Sequence, residues 1–168
     1  MKVIKKSINE YEKERVRIEK EIMRICTNPF LVKLHATFQT SDKLFFVLDY
    51  VNGGELNNKL IKSGKLKEDL VKFYAGEILL GLKSLHENGF IHRDLNPRNI
   101  LINSDGHLKI IDFGLSKIND NAKPSETCGT AAYCAPEIIK GKGHDVTMDF
   151  WSLGVLVYEM LHGEYPFC

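Results

Sequence analysis

The segment TMDFWSLGVLVYEMLHG, residues 147–163, is apolar on nearly every face. An amphipathic helix buries one stripe, whereas a helix that is apolar all round needs neighbours on every side. This stretch therefore belongs inside a helical layer. The apolar runs at 43–51 and 150–161 are too short or too polar to cross a bilayer, so no membrane partner is expected of this segment. A second long helix is legible from Lys67 to Asn88. Leu70, Phe73, Tyr74, Ile78, Leu82 and Leu85 keep a 3.6-residue period, and Gly89 sits where a C-terminal cap would lie.

The amino-terminal part has a different period. After a strand-like MKVIKK, the segment Asn9–Cys26 places Val16, Ile18, Ile22, Met23 and Ile25 among many charges, the pattern of an amphipathic helix ended by Pro29. FLVKLHATF (30–38) and KLFFVLDYV (43–51) flank the polar turn QTSD and read as an antiparallel hairpin. Beyond Asn52-Gly53-Gly54 the chain becomes mostly helical, beginning with a short helix carrying Leu56, Leu60 and Ile61 that closes near Gly64. NILIN and HLKIID form a second hairpin around Ser104-Asp105-Gly106. This pattern implies an α+β chain, a small sheet-and-helix unit at 1–50 followed by a helical unit at 51–168.

Across 168 residues, 43% hydrophobic and 27% charged side chains leave enough apolar material for a core. The 23 basic and 22 acidic residues give a formal net charge of +1. No long-range field points to nucleic acid or an anionic membrane as the main partner. Cys26, Cys128, Cys134 and Cys168 form no C-x-x-C pair and follow no signal-peptide pattern. Reduced thiols in an intracellular protein, cytoplasmic or also nuclear, are the expectation.

Three short motifs stand in a fixed order: HRDLNPRN at 92–99, DFG at 112–114 after a hairpin, and APE at 135–137. Each alone is weak, but their succession is the protein-kinase signature order. The chain resembles a eukaryotic protein kinase, and LHATFQTSDKLFFVLDYVNGGEL is similar to the AGC group, particularly its protein kinase B and serum/glucocorticoid-regulated branch. The resemblance covers Met1 to Cys168 and implies a two-lobe α+β kinase fold, incomplete at both ends. It also implies a serine/threonine kinase using ATP and Mg²⁺ on a protein substrate, with an upstream activating kinase as a further partner.

Phosphoryl transfer spreads charge over the oxygens of the moving group, so such a site needs metal-binding carboxylates, cations and a group that orients the attacking hydroxyl. By position, the resemblance assigns Asp94 to the hydroxyl proton and Asn99 and Asp112 to Mg²⁺. Lys2 would grip the phosphates with Glu19 as its ion-pair partner. Leu48 would stand behind the adenine pocket, Asp49 to Val51 would meet the adenine edge, Glu55 would reach the ribose, and Leu101 is a further nucleotide contact. Met23, Leu34, His92 and Phe113 match a stacked column joining the lobes. Arg15, Arg93 and Lys117 match the cations that gather an activation segment. The acidic group they await is Glu126 on register, or a phosphorylated Thr127 with a one-residue shift. Thr130 matches the threonine that touches the catalytic aspartate in serine/threonine kinases.

Several positions depart from the family pattern. The strands and the Gly-rich loop that precede the strand lysine in the family do not occur in this sequence, which predicts a frayed Lys2 with weakened pairing to Glu19. No arginine follows Arg98, so Glu137 should lack its usual partner, and the helix at 147–163 should expose a large apolar face beyond GEYPFC. Places that would read basic substrates hold Arg98 and Ala132, leaving Glu55 and Glu159. Asn96 stands where a lysine is usual, and Arg98, four residues after Asp94, occupies the place of the arginine in the tyrosine-kinase motif HRDLAARN. The resemblance thus implies Arg98 as the substitute phosphate clamp. A non-catalytic, partner-binding kinase-like fragment is the opposing reading.

Overall fold

The structure, a computed structural model, describes residues 1–6, 9–119 and 129–167. Its amino-terminal sheet has the order β1 (Lys2–Lys5), β3 (Lys43–Leu48), β2 (Leu34–Gln39), all antiparallel. Register pairs Lys2 with Phe46 and Ile4 with Leu44. Successive side chains alternate faces along a strand, so Lys2 and Ile4 turn inward while Val3 and Lys5 face water. Lys2 is therefore not frayed. Its backbone is fixed by β3, which supplies the ladder that a terminus usually lacks.

Helix α1 (Glu10–Ile25) starts at Asn9, whose side-chain oxygen accepts from Tyr11 N–H at 2.9 Å. Its buried stripe is Ile18, Glu19, Ile22 and Met23, so Glu19 shares the face with three apolar residues. The hairpin is shorter than the expected 30–38 segment. Phe30 to Val32 pair instead with the segment at Ile110, whose N–H donates to Phe30 O and whose carbonyl accepts from Val32 N–H, at 2.8 and 3.0 Å. That pairing buries Leu31 and Val32 between the two units.

The helical unit contains α2 (Leu56–Ser63), α3 (Glu68–Glu87), α4 (Pro136–Ile139) and α5 (Thr147–His162), with short pairs β4 (Phe90–Ile91)–β7 (Lys117–Ile118) and β5 (Ile100–Ile102)–β6 (Leu108–Ile110). In α3 the buried set Val71, Tyr74, Ile78, Leu82 and Leu85 follows the expected period. Phe73 and Ile61 leave the expected core, at 46% and 74% exposed. Phe73 instead rests against the His107 ring, 5.5 Å between centroids, on the outer side of α3. Helix α5 buries Met148, Ser152, Val155, Leu156 and Met160, but Phe150 and Gly154 are exposed and Val157 and Leu161 half-covered. Those four positions form one stripe at helical spacing, so burial is not complete on all sides.

The segment between the units runs along β5. Gly53 N–H donates to Ile102 O, Ile102 N–H donates to Gly54 O, and Glu55 bridges Leu101. A Cβ at Gly53 would lie 2.4 Å from Ile102 O, so this close approach requires glycine.

Candidate active site

Two clusters face the junction of the sheet unit and the helical unit. The first is built on β1, α1 and the turn after β6. Lys2 Nζ lies 2.6 Å from Glu19 Oε1 and 3.0 Å from Asp112 Oδ1. Glu19 is 3% exposed, whereas the Asp112 side chain is half open. Burial opposes charge on Lys2, but the two carboxylates prevail and raise its pKa. Burial likewise pushes Asp112 up, and Lys2 together with Gly114 N–H outweighs it, holding Asp112 below its ordinary value. Glu19 moves upward, because burial exceeds the pull of Lys2. Asp112 adopts φ 62°, a left-handed conformation stabilised by its own Oδ1 accepting from Gly114 N–H at 3.1 Å.

The second cluster surrounds Asp94. Its Oδ1 accepts from Thr130 N–H and Thr130 Oγ1–H, each at 2.9 Å, and from Asn96 Nδ2 at 3.1 Å. Its Oδ2 accepts from Asn99 Nδ2 at 3.0 Å. Asn96 is 4% exposed, and its Nδ2 also reaches Thr130 Oγ1 at 3.2 Å and Asp94 O at 3.0 Å, while its Oδ1 accepts from Arg98 N–H. It caps the 3₁₀ turn Pro97–Asn99 and ties it to the segment that carries Thr130. The close approach depends on Gly129, at φ 90°, where a Cβ would meet Arg93 O at 2.6 Å.

The platform under this loop is Asp149, fully buried on α5. Its two oxygens accept from His92 N–H and Arg93 N–H at 2.9 Å, and Oδ2 also meets His86 Nε2 at 2.8 Å. These bonds hold Arg93 at φ 68°. His92 is fully buried against Phe113, ring to edge at 5.7 Å, and burial lowers its pKa, leaving a neutral ring whose Nδ1 accepts from Asp94 N–H. Met23, Phe113 and Leu34 belong to the same apolar cluster, Leu34 at its margin.

Other expected site residues are distributed as follows. Leu48 closes β3, and Asp49 turns its carboxylate onto His35 Nε2 and Lys109 Nζ, at 2.8 and 2.9 Å. Its side chain thereby leaves the inter-unit face to backbone atoms. Val51, Glu55 and Leu101 follow along the β5 edge, each half-buried. Arg15 donates from Nε to Gly114 O, and Arg93 Nε donates to Leu115 O at 2.7 Å. Lys117 lies in β7. Glu126 and Thr127 lie outside the described residues, so their relation to these cations stays an expectation. Arg98 is exposed and its side chain has no partner among the described residues. Glu159, expected to remain available to basic substrates, is instead 9% exposed and accepts from the Tyr133 hydroxyl.

Asn96 and Asp149 are the site residues that sequence reasoning underrated. Asn96 had the appearance of a missing cation; nothing local signals that its amide spans Asp94 and Thr130, residues far apart in the chain. Asp149 did carry a signal: a carboxylate within an otherwise apolar helix must find partners or not be buried at all.

A left-handed Asp112 gripped by a strand lysine, beside an Asp94 fixed by Asn99 and Thr130, is the constellation of a protein kinase. The sequence matches the family described as Protein kinase domain over residues 1–168, and the chain belongs to that family. Its relatives place it in the AGC group. It is 48% identical over 170 residues to Putative ribosomal protein S6 kinase alpha-1 of Caenorhabditis elegans, 46% to Ribosomal protein S6 kinase alpha-1 of Homo sapiens and 45% to Serine/threonine-protein kinase AtPK1/AtPK6 of Arabidopsis thaliana. Each alignment takes in 99% of this chain but 22%, 23% and 37% of those relatives, respectively. The chain thus spans between about a fifth and two fifths of the relatives it matches.

Proposed function

We infer that this chain carries the catalytic apparatus for Mg²⁺-dependent transfer of the ATP γ-phosphoryl group to serine or threonine of a protein. The observation that carries this reading is the hydrogen bonding of Asp94. Oδ1 is occupied by three donors and Oδ2 by one, so Oδ2 keeps lone-pair capacity for an incoming substrate hydroxyl. Thr130 helps aim that carboxylate, as it does in serine/threonine kinases by family resemblance.

The donor atoms suit magnesium. Asn99 spends its Nδ2 on Asp94, leaving its amide oxygen, and Asp112 spends Oδ1 on Lys2 and Gly114, leaving Oδ2. Mg²⁺ is held by one or two protein oxygens together with phosphate and water, and these two oxygens meet that demand. Mg²⁺-ATP supplies the transferable phosphoryl group and offsets its charge. Lys2, held between Glu19 and Asp112, would hold the phosphates, while Leu48, Asp49 to Val51 and Leu101 would line the adenine and Glu55 would meet the ribose. Asp94 accepts the hydroxyl proton at Oδ2. Arg98, whose guanidinium has no partner among the described residues, serves as the cation that a lysine at position 96 would have supplied. Because Glu159 is committed to Tyr133, Glu55 is the one left of the two carboxylates expected to meet a basic substrate, and selectivity for basic sequences is weakened.

The test is incorporation of labelled phosphate from Mg²⁺-ATP into a mixture of serine- and threonine-containing peptides, with Asp94→Ala as the comparison. Incorporation that disappears in the variant supports the reading. Equal incorporation by both proteins removes it.

A further inference from the structure

On the side of α1 away from Lys2, a trough of about 730 Å³ runs between the C-terminal half of α1 and strand β2, with Asp49 and Lys109 at its foot. Two independent features coincide there. The first is charge: Lys20, Arg24, Lys33 and Lys109 line it against one carboxylate, Asp49. The chain as a whole is balanced at 23 basic and 22 acidic residues, so this surplus is local and not a by-product of a basic protein. Arg24 is shared with Glu21 at 2.7 Å and Lys109 with Asp49 at 2.9 Å, whereas Lys20 and Lys33 have no ion-pair partner among the described residues. The second is an open sheet edge. β2 is the last strand in the order β1–β3–β2, and residues 34–37, four in succession, all line the trough. Side chains alternate between faces, so an uninterrupted run of lining residues puts the backbone edge itself on the trough.

We propose that this trough is a docking site for an extended acidic peptide, which adds as a strand to the outer edge of β2 and sets its carboxylates against Lys20 and Lys33. Strand addition draws affinity from main-chain hydrogen bonds and specificity from alternate side chains. The floor of Met23, Leu31, Leu34 and Ala36 accepts the apolar side chains of an alternating acidic sequence. The charge also selects the occupant. Lysines blunt an edge against self-pairing, and here Lys33 stands exposed at the start of the edge strand. Two copies of this basic edge repel, while an acidic strand is attracted. Single-stranded nucleic acid is disfavoured because the trough has no Phe, Tyr or Trp on which a base could stack.

The test does not depend on catalysis. A fluorescein-labelled peptide alternating glutamate with valine is titrated with the chain and followed by anisotropy. The expected result is binding that weakens with added salt, falls roughly tenfold or more in the Lys20→Glu/Lys33→Glu double variant, and persists in Lys62→Glu on α2, a change of the same charge remote from the trough. Two peptides keep the test sound should the double variant not fold. N-methylation at alternate residues blocks main-chain pairing at unchanged charge, and replacing glutamate by lysine reverses the charge; both should abolish binding to the unmodified chain. No binding of the acidic peptide overturns the proposal, as does equal binding of the N-methylated peptide. Phosphatidylserine vesicles or an oligothymidylate binding more tightly than the peptide would equally overturn it, by assigning the charge to a different class of partner.

Discussion

At the scale of single residues, Asn96 and Arg98 on the proposed reading divide the work that one lysine does elsewhere in the family. A lysine two residues after the aspartate could both position that aspartate and face the phosphate. Asn96 can do only the first, being neutral and already engaged with Asp94, Thr130 and the backbone of Arg98. On that reading the cation comes from a residue whose side chain has no partner among the described residues, as is the case for the exposed Arg98. Arg98→Ala should lower kcat on the order of 10²-fold, the loss that follows removal of one transition-state donor. Asn96→Lys should change it far less, since a lysine there can still donate to Asp94 and Thr130. Steady-state kinetics on the two variants decides the matter, and the opposite ranking would return the phosphate-facing role to position 96.

At the scale of elements, the Lys2–Glu19 pair couples β1 to α1. Glu19 is nearly inaccessible while Lys2 is about one-third exposed, so the lysine's main energetic duty is to compensate a buried carboxylate. Lys2→Met should destabilise the fold by about 2 kcal/mol at neutral pH, below the cost for a fully buried pair because water reaches the lysine. The pH dependence has a definite sign. Glu19 already stands above the ordinary carboxylate value of 4.5, and loss of Lys2 drives it higher. A folded-state carboxyl with a raised pKa binds protons that the unfolded chain does not, so the variant's deficit shrinks as pH falls through that raised value. Urea melts of both proteins at pH 7 and pH 5 measure this; a deficit independent of pH would mean that Glu19 does not sense Lys2. Periodicity made α1 legible together with Ile18, Ile22 and Met23 of its buried stripe, but Val16 is only half-buried and Ile25, at the helix end, is exposed. It could not show that β3 would clamp the first strand residues, because antiparallel register is a long-range fact absent from the local pattern. The same limit accounts for Phe30 to Val32, apolar enough for a hairpin strand yet claimed by Ile110 from another part of the chain.

At the scale of the whole molecule, α5 is both the scaffold of the helical unit and the support of its catalytic loop. The apolar character of 147–163 announced a central helix, and the motif order announced the loop; their connection through Asp149 lay in neither pattern. An apolar face left open on this helix was expected; which positions carry it, Phe150 and Gly154 exposed with Val157 and Leu161 half-covered, was not legible, since hydrophobicity tells what a face prefers and not which neighbours reach it. The Asp149 carboxylate uses both oxygens for backbone donors, and those bonds keep Arg93 left-handed and Asp94 beneath Thr130. In Asp149→Asn one oxygen becomes an NH₂ that faces a backbone N–H, leaving a buried donor unsatisfied at a cost of about 2 kcal/mol. Amide exchange should accelerate first at His92, Arg93 and Thr130, before the α3 core around Ile78 and Leu82 responds, because the lost bonds are local to the loop. Activity should fall even where the variant remains folded, since Asp94 loses the backbone that aims it. Uniform acceleration across α3 and the loop together would instead make Asp149 a support of global stability alone.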